Sequence, residues 1–532
     1  MSRPNSANDF SYSNPPQEEI QVKTAVPVRR HVIRGVALVV SFVVAVGLSG
    51  CSSSSSATTK VPQNLTVAFS QETVDLNPYG SADAQQGLRV VDNQIFDTLV
   101  TQNTKTSTYV PSLATKWSQP NSLTWLFTLR TAKFQNGAPV TAADVVADIK
   151  FLAASASPLS SLWSSLDTVS ADSTSVVRIT TKTPVGTMLA NLSLLEIAPA
   201  SDITKPNFGT HPIGSGPFKV DSFTPQSKIV LSGFKDYWGG APKLSTLTFA
   251  DIPDESARLT SLKNSEIDID WVVSPDQVST VSGATGISLK ESDSDAYFFM
   301  WFNSSQKPFT DVRVRQAMWY AVNTKAVTKS LYGAAGAPMT SPVPSSVFGS
   351  STQKPYTYNP TKAKQLLAAA GYPNGFSTKI MLASDSAPLI LEQAQAYVSY
   401  WAKVGVKVQI EAQPTAVWLQ NLLALNWQME LQENFATTGD ADYTLGRLYT
   451  STANRTGYKN PTLDTYLSEA AATTDQSKRK SLYEKAGKII WDNAVGMFPI
   501  QERDTYAVRD TVRGFVPTVT RAPSFLNVSV GN

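Results

Sequence analysis

The sequence of 532 residues contains one cysteine and two histidines. Cysteine forms disulfides, and both residue types are common zinc ligands and members of nucleophilic catalytic centres. Cys51 is the only cysteine, so the chain has no internal disulfide and its stability must come from an apolar core. The two histidines, His31 and His211, are too few for a zinc site of the His/Cys type. A catalytic triad would have to use His211, which stands beside Pro212 in a loop rich in glycine and proline. The composition therefore disfavours nucleophilic or zinc-dependent chemistry.

Charge is also scarce, since Asp, Glu, Lys and Arg make up 16% of the residues and the net charge is +3. Residues 1–50 carry five Lys or Arg and three Asp or Glu, so the charge without them is +1. Proteins that bind nucleic acid present a basic face, and we therefore expect no nucleic-acid partner. The length beyond residue 50 suffices for two or three packed lobes.

A short apolar segment precedes the single cysteine. Residues 29–34 contain three arginines, the run Val36–Leu48 is apolar, and Ser49 and Gly50 stand directly before Cys51. A positive segment, an apolar segment and small residues, in this order, are typical of a secretory signal peptide. The segment resembles a bacterial lipobox, which implies that the cysteine is lipidated and becomes the mature N-terminus. We predict a lipoprotein signal peptide over residues 1–50; an uncleaved anchor is the alternative, although the run is shorter than the roughly 20 residues of a membrane span.

After a Ser/Thr-rich stretch over residues 51–63, which predicts a flexible tether, helix and strand patterns alternate. Predicted strands are Asn64–Ser70, Leu123–Arg130 and Val404–Ile410, and predicted helices are Gln85–Val100, Val140–Leu152, Val312–Asn323 and Leu389–Lys403. Asn359, Pro360 and Gly371 suit the N-cap, first turn and C′ position of a further helix. Strands separated by helices predict α/β lobes. The charged run Lys478–Lys480 is interpreted as a solvated face.

Several segments, in order and spacing, resemble the bacterial extracellular solute-binding proteins, family 5, the dipeptide- and oligopeptide-binding components of ABC importers. The matching segments are Pro111–Trp117, Thr124–Arg130, Phe134–Val146, Pro212–Lys219, Tyr237–Leu244, Glu266–Asp270, Phe302–Asn303, Pro308–Phe309, Asp311–Ala317, Tyr358–Tyr372, Tyr458–Asp464 and Arg479–Tyr483. The family usually shows Phe-His-Asp-Gly where this chain has Phe134–Gly137, a departure that lies in a turn. The resemblance extends from about residue 64 to residue 515.

The resemblance implies an α/β fold of two lobes, periplasmic-binding-protein-like (type II, cluster C), with an extra inserted domain and two crossover strands. It places lobe I in residues 61–103, 206–293 and 501–532. The inserted domain II would be 104–205, and lobe III would be 294–500.

The resemblance also implies ligand-binding residues. In peptide-binding members an aspartate of the opposite lobe binds the ammonium group of the peptide, and the matching segment here is Thr438–Tyr443. Asp442 is the first choice for this role and Asp440 the second, because a carboxylate and an ammonium form a charge-assisted hydrogen bond. Both aspartates could instead shape a turn. The predicted lining residues of the ligand site are Tyr443, Trp301, Asn303, Trp418 and Trp427, each of which could equally be a core residue.

We therefore expect a lipid-anchored, monomeric binding protein on the outer face of the cytoplasmic membrane, in the cell envelope or periplasmic space. It would capture an oligopeptide or dipeptide and deliver it to an ABC permease, with no catalysis and no cofactor or metal. A binder of another small solute, such as a nickel chelate, an opine or a sugar, is the alternative within this class. The alternatives outside it are a hydrolase with a carboxylate dyad at Asp268 and Asp270 or at Asp440 and Asp442, and an adhesin or chaperone.

Overall fold

A computed structural model describes residues 62–70, 73–80, 88–103, 108–384 and 388–531. The predicted signal peptide, Cys51 and the tether up to residue 61 lie outside the described residues. No helix in the described part of the chain has the length and apolar character needed to cross a membrane.

The described chain alternates strands and helices throughout. The strands are β1 (Asn64–Phe69), β2 (Val100–Asn103), β3 (Thr108–Pro111), β4 (Ala114–Asn121), β5 (Thr124–Leu129), β6 (Leu166–Ser173), β7 (Val176–Thr181), β8 (Phe218–Thr224), β9 (Lys228–Gly233), β10 (Thr246–Asp251), β11 (Ile269–Asp270), β12 (Ile287–Phe302), β13 (Gly336–Pro338), β14 (Ser377–Ala383), β15 (Lys407–Gln413), β16 (Met429–Phe435), β17 (Gly496–Arg509), β18 (Val512–Arg513) and β19 (Ser529–Val530). The helices are α1 (Arg89–Ile95), α2 (Ala142–Ala154), α3 (Met188–Leu192), α4 (Glu255–Lys263), α5 (Val278–Ser282), α6 (Val312–Tyr320), α7 (Thr324–Leu331), α8 (Pro360–Ala369), α9 (Pro388–Ala402), α10 (Thr415–Leu423), α11 (Arg447–Tyr449), α12 (Pro461–Ala472) and α13 (Gln476–Asp492). Short 3-10 helices cover Pro158–Trp163 and Gly333–Ala335, and a π-helical turn covers Asp442–Gly446.

One large mixed sheet runs through the molecule in the order β15-β14-β16-β12-β17-β11-β1-β10-β9-β8, and β13 pairs with β17. The long strands β12 and β17 are antiparallel over most of their lengths, from Ile287 opposite Arg509 to Trp301 opposite Gly496. One end of this pair adjoins β11, and the other end adjoins β16. These two strands therefore connect the two halves of the sheet.

Each half of the sheet contributes to its own apolar core. The N-terminal core is formed by buried side chains between Leu65 and Trp271 together with those between Tyr506 and Val528. The C-terminal core is formed by buried side chains between Tyr297 and Ile500, with Trp301, Trp401 and Trp491 among its largest members. Two separate cores joined by two strands can move relative to each other without exposing either core.

A second, antiparallel sheet, in the order β4-β5-β7-β6, packs beside α2 within the N-terminal core region. Trp125, Phe127 and Leu129 of β5 are buried, as their alternation predicts. On α2, Val145, Ile149 and Leu152 are buried.

The helix predicted over Gln85–Val100 is wrong at its C-terminal end, which was placed too far along the chain. It ends at Ile95, because Phe96 is extended (φ −120°, ψ 155°) and the carbonyl of Ile95 accepts from the backbone N–H of Gly216 at 2.8 Å. The strand predicted from Val404 begins at Lys407, because the preceding residues close a turn onto Trp401.

The helix predicted over Val312–Asn323 begins as predicted but ends at Tyr320. Asn323 is instead the N-cap of the next helix, α7, and accepts from the backbone N–H of Ala326. The caps predicted for the helix after Asn359 are confirmed: Asn359 accepts from the backbone N–H of Lys362 at 2.8 Å, and Gly371 has φ +93°.

Candidate functional site

The segment that carries the predicted aspartates follows β16 and enters the π-helical turn Asp442–Gly446. Such turns are rare, occur frequently at functional sites, and shift the direction of the side chains that follow them. Gly439 adopts φ +63°, a conformation that favours glycine, and so allows the chain to reverse before Asp440. The turn brings Asp442, Tyr443 and Arg447 to one cavity.

Asp440 is buried and engaged in an ion pair with Arg479 of α13. The guanidinium of Arg479 donates two hydrogen bonds of 2.9 Å, one to each carboxylate oxygen of Asp440, and each side chain is 1% exposed. Arg479 also donates to the carbonyl of Ala470 at 3.1 Å and to the hydroxyl of Tyr483 at 3.1 Å. This pair anchors the aspartate segment on α13 and uses both oxygens of Asp440. The interpretation of Lys478–Lys480 as a solvated face is therefore wrong for Arg479.

Asp442 is half-buried and keeps one oxygen outside this network. Its Oδ1 accepts from the hydroxyl of Tyr483 at 3.0 Å, and its backbone N–H donates to Asp440 at 3.0 Å. Burial, and then the negative charge of Asp440, raise the pKa of Asp442 to about 6, whereas Arg479 and Tyr483 act in the opposite direction. A positively charged ligand group near Asp442 would offset both of the unfavourable contributions.

A cavity of about 490 Å³ opens in front of Asp442. On the side of the N-terminal core it is lined mainly by small polar and apolar residues: Ser161, Leu162, Ser164, Ser165, Thr183, Pro184, Val185, Thr187, Ala190 and Asn191. On the side of the C-terminal core it is lined by Thr438, Asp442, Tyr443, Arg447, Ser468, Ala471 and Ala472. Its volume falls within the range of small-molecule sites, and its lining offers hydroxyl groups, one carboxylate and one guanidinium.

Direct contacts between the two sides of the molecule border this cavity. The side chains of Arg89, Tyr109 and Gln102 donate to the backbone carbonyls of residues 437, 438 and 439, at 3.1, 3.4 and 3.0 Å respectively. Elsewhere at its border, the backbone N–H of Gly186 donates to the carbonyl of Ala471 at 2.7 Å. The loop over residues 437–439 is thus bound to the N-terminal side immediately before the aspartates.

Three predicted lining residues lie outside this cavity, in the C-terminal core. Trp301 is 1% exposed and donates its indole N–H to the hydroxyl of Tyr449 at 2.9 Å. Asn303 is fully buried and donates to the carbonyl of Trp427 at 2.8 Å. Trp427 donates its own indole N–H to Leu422 at 3.2 Å and borders a different, smaller pocket. Their participation in binding stays a prediction.

Trp418, on the other hand, is half-buried on α10 and faces the buried Glu430, whose pKa is raised to about 8 mainly by burial. It is also absent from the lining of the large cavity. Of the predicted residues, the fold therefore brings Asp442 and Tyr443 together at the cavity, with Asp440 behind them.

The other predicted pair of carboxylates is separated into two ion pairs. Asp268 lies 3.1 Å from Arg509, and the buried Asp270 lies 2.7 Å from the buried Arg258. Among the described residues, no three His, Cys, Asp or Glu side chains form a group that could bind a metal ion.

The sequence reasoning missed Arg447 and the two stretches between Ser161 and Asn191 that line the cavity. Serine, threonine and alanine carry little chemical signal in a sequence, so these stretches had no motif. Arg479 could have been found, because it shares a helical stripe with Leu482, Tyr483 and Ala486, which are all buried on α13.

Comparison with known proteins finds binding proteins among the relatives of this chain. The chain is 28% identical over 483 residues to the glutathione-binding protein GsiB of Escherichia coli O6:K15:H31 (strain 536 / UPEC), covering 85% of this chain and 92% of that protein. HbpA2 from Haemophilus parasuis superposes with a TM-score of 0.80 at 25% identity, over 88% of this chain and 100% of that chain. The periplasmic binding protein DppA from Helicobacter pylori, in complex with the peptide STSA, superposes with a TM-score of 0.71 at 25% identity, over 88% and 98% of the two chains.

Two α/β lobes, two connecting strands and a cavity between the cores define a solute-binding protein of the periplasmic type, and the predicted fold class is confirmed. The sequence model described as bacterial extracellular solute-binding proteins, family 5 Middle, matches residues 108–456, and the chain belongs to this family. It is accordingly the substrate-binding protein of an ABC importer and not an enzyme, which excludes the hydrolase alternative. Proteins of this family function outside the cytoplasm.

Proposed function

We propose that the protein captures short peptides with a free ammonium group and delivers them to its ABC permease. The observation that carries this proposal is the half-buried carboxylate of Asp442 at a cavity of about 490 Å³ between the two cores. A carboxylate that is partly desolvated by the protein binds an ammonium more strongly than a fully solvated one. Asp440 fixes the backbone next to Asp442, because both of its oxygens accept hydrogen bonds from Arg479.

Glutathione is the first peptide to test, because a related protein is named for binding it and the structural neighbour from Helicobacter pylori holds a peptide. The small hydroxyl-bearing residues of the cavity suit a peptide, since hydroxyl groups and bridging waters can bind a main chain without selecting its side chains. The nickel-chelate, opine and sugar alternatives share the fold but do not require a free ammonium group in the ligand.

The proposal is tested by measuring the affinity of glutathione and of synthetic tri- to pentapeptides by calorimetry. We expect Asp442→Asn to weaken binding about ten- to a hundredfold, the usual contribution of a charge-assisted hydrogen bond. N-acetylation of the peptide should weaken binding to the wild type equally and should have no further effect on the variant. The matched control is Asp236→Asn, at a surface ion pair with Lys133 where the aspartate side chain is 63% exposed. Unchanged affinity in Asp442→Asn would show that this residue is not the anchor.

We also propose that Cys51 carries a lipid and that residues 51–63 tether the protein to the outer face of the cytoplasmic membrane. The support is the order of arginines, apolar run and small residues before Cys51. In the native host, Cys51→Ser should move the protein from the membrane fraction to the soluble fraction. Retention of the variant in the membrane would favour the uncleaved anchor.

The same division of the chain into lobes is proposed, with lobe I in 61–103, 206–293 and 501–532, domain II in 104–205 and lobe III in 294–500. The C-terminal apolar core and the path of β12 and β17 support the bounds of lobe III, and the separate four-stranded sheet β4-β5-β7-β6 supports domain II. We further propose that the protein is a monomer, which light scattering tests directly.

A further inference from the structure

A second cavity, which we call the amide pocket, is formed by side chains of β14, β15, α10 and the loop that leads into β16. Its volume is about 280 Å³. The cavity at Asp442 borders the segment that follows β16, so the length of this strand, roughly 20 Å, separates the two sites. The two sites share no lining residue. Five carboxamide side chains line the amide pocket: Gln306, Gln413, Asn421, Asn426 and Gln428.

Two of these carboxamides are fixed through one end only. Oε1 of Gln428 accepts from the backbone N–H of Lys379 at 3.0 Å and from the hydroxyl of Thr378 at 3.1 Å. Nε2 of Gln306 donates to the carbonyl of Leu425 at 2.9 Å. Within the described part of the chain, Nε2 of Gln428 and Oε1 of Gln306 have no hydrogen-bond partner. These two side chains therefore leave one donor and one acceptor available at the pocket.

The other three carboxamides form a series. Nδ2 of Asn426 donates to Oδ1 of Asn421 at 3.0 Å, and Nδ2 of Asn421 donates to Oε1 of Gln413 at 2.8 Å. Among the residues that the structure describes, the two ends of the series, Oδ1 of Asn426 and Nε2 of Gln413, have no partner. The series thus adds a second acceptor and a second donor, each on a side chain that is already held in place.

The charged residues of the lining neutralise each other. Nζ of Lys379 lies 2.5 Å from Oε1 of Glu411. The apolar residues of the lining, Met381 and Trp427, are 3% and 5% exposed and so present little apolar surface. An ionic ligand would meet no uncompensated counter-charge, and an apolar ligand would gain little from burial. The pocket therefore favours a neutral, polar ligand.

A molecule with several hydroxyl groups matches this arrangement. A hydroxyl both donates and accepts, so neighbouring hydroxyls can use the free donors and the free acceptors at once. A carboxamide that is held at one end is pre-organised, so less conformational entropy is lost when the ligand binds. The volume of the pocket lies at the lower limit of small-molecule sites, about 300 Å³, and suits one sugar ring better than a peptide.

An adjacent cavity gives room for more than one ring. Lys379 and Gln428 also line this cavity, which has a volume of about 480 Å³ and borders the start of β15 at Lys407 and Gln409. In the described part of the chain β15 is the last strand of the large sheet, so the cavity lies at an open edge. A saccharide chain with one ring in the amide pocket can therefore continue along this edge.

We propose that the amide pocket binds one ring of a neutral carbohydrate, independently of the ligand at Asp442. Two sources share this chemistry, a free sugar and one unit of a longer saccharide chain, and the probes below separate them. The inference does not depend on the proposed peptide function.

The test applies neutral carbohydrates to the full chain. Saturation-transfer NMR and calorimetry compare the methyl glycosides of glucose, galactose, mannose and N-acetylglucosamine with linear oligosaccharides of the same sugars. We expect affinity to rise with chain length until the adjacent cavity is filled. Gln306→Ala and Gln413→Ala should each weaken binding about five- to tenfold, because each variant loses a group that contacts the sugar. The matched control, Gln119→Ala, removes a carboxamide from β4, outside these cavities, and should bind as the wild type does.

Two further measurements separate the amide pocket from the cavity at Asp442 and from loss of folding. Thermal denaturation of Gln306→Ala and Gln413→Ala should show that both variants remain folded, and if one does not, the other decides. In the wild type, an excess of glutathione should not displace the sugar. Asp442→Asn should leave the affinity for the sugar unchanged.

The outcomes decide between these possibilities. Equal affinity for one ring and for longer chains would assign the pocket to a free sugar. Sugar binding that is unchanged in both glutamine variants, or that glutathione displaces, would overturn the amide pocket as the site. Failure of every neutral carbohydrate to bind the wild type would also overturn the proposal and would leave the peptide function intact. Sugar binding through Gln306 and Gln413 without any peptide binding would support the amide pocket and overturn the peptide function.

Discussion

At the scale of single residues, the ion pair between Asp440 and Arg479 is the main support of the site. Both side chains are 1% exposed, and the guanidinium of Arg479 also contacts Tyr483, which in turn donates to Asp442. Removal of one member of a buried pair leaves the other charge without compensation, and this costs more than the pair itself contributes. The network therefore makes the position of Asp442 depend on the buried charges of Asp440 and Arg479.

We expect Asp440→Asn to lower the free energy of unfolding by about 3–5 kcal/mol, the usual cost of breaking a buried ion pair. Urea denaturation followed by tryptophan fluorescence measures this. The matched control is Asp236→Asn, since a surface ion pair contributes about 0–1 kcal/mol and the Asp236 and Lys133 side chains are 63% and 53% exposed. Equal stability of the two variants would contradict a supporting role for Asp440.

The raised pKa of Asp442, about 6, also predicts the pH dependence of binding. An ammonium ligand requires the ionised carboxyl, so below this pH ligand binding must expel a proton, and affinity should fall by up to about tenfold per pH unit. The sign for folding is opposite: the pKa exceeds its unfolded value, so this carboxyl favours the folded state as pH falls from about 6 to 4.

Calorimetry of peptide binding between pH 7.5 and 5 checks this dependence, with circular dichroism to confirm that the protein remains folded. Asp442→Asn should remove it. A wild-type affinity that stays constant over this range would show that Asp442 does not ionise in concert with binding.

At the scale of elements, the ends of α8 are set by local side chains and backbone conformation. Asn359 caps α8 through the backbone N–H of Lys362, Pro360 occupies the first turn, and Gly371 follows the helix at φ +93°. Such devices act within a few residues and are therefore readable from the sequence.

We expect Asn359→Ala to reduce the free energy of unfolding by about 1 kcal/mol, because the first turn of α8 loses its side-chain acceptor. Asn359→Asp should retain most of that stability, since Asp is an equally good cap. Thermal denaturation of the three proteins measures the difference, and a similar loss in both variants would indicate that packing, not capping, matters at this position.

At the scale of the whole molecule, contacts across the cavity link the two cores. Arg89, Tyr109 and Gln102 donate to three successive carbonyls of the loop 437–439. Gln102 also packs tightly on Gly439, where an added Cβ would lie 2.1 Å from Gln102 Oε1. Contacts of this kind exist only when the two sides are together, so they stabilise the closed arrangement and with it the bound ligand.

Gln102 does not line the cavity. We nevertheless expect Gln102→Ala to weaken peptide binding about fivefold, because the variant loses one hydrogen bond of about 1 kcal/mol between the two sides. The comparison is Gln119→Ala, a half-buried residue whose side chain donates to the nearby carbonyl of Ser122 at 3.3 Å. Affinity by calorimetry, together with the radius of gyration with and without peptide, tests this. Identical affinities of the two variants would contradict a role in closure.

The sequence alone was sufficient for the fold class, the family and the approximate positions of the few helices and strands with a clear local pattern, such as β5 and α8. Alternation in β5, the cap of α8 and the order of family segments are all local patterns, and local patterns follow directly from residue order. Tertiary structure was needed to distinguish Asp440 from Asp442, since their roles depend on Arg479, which lies 39 residues away in the chain. It also decided that Trp301 and Asn303 lie in the core and that Arg447 borders the cavity. Burial and pairing are long-range properties of the folded chain, and residue order does not specify which distant side chains meet.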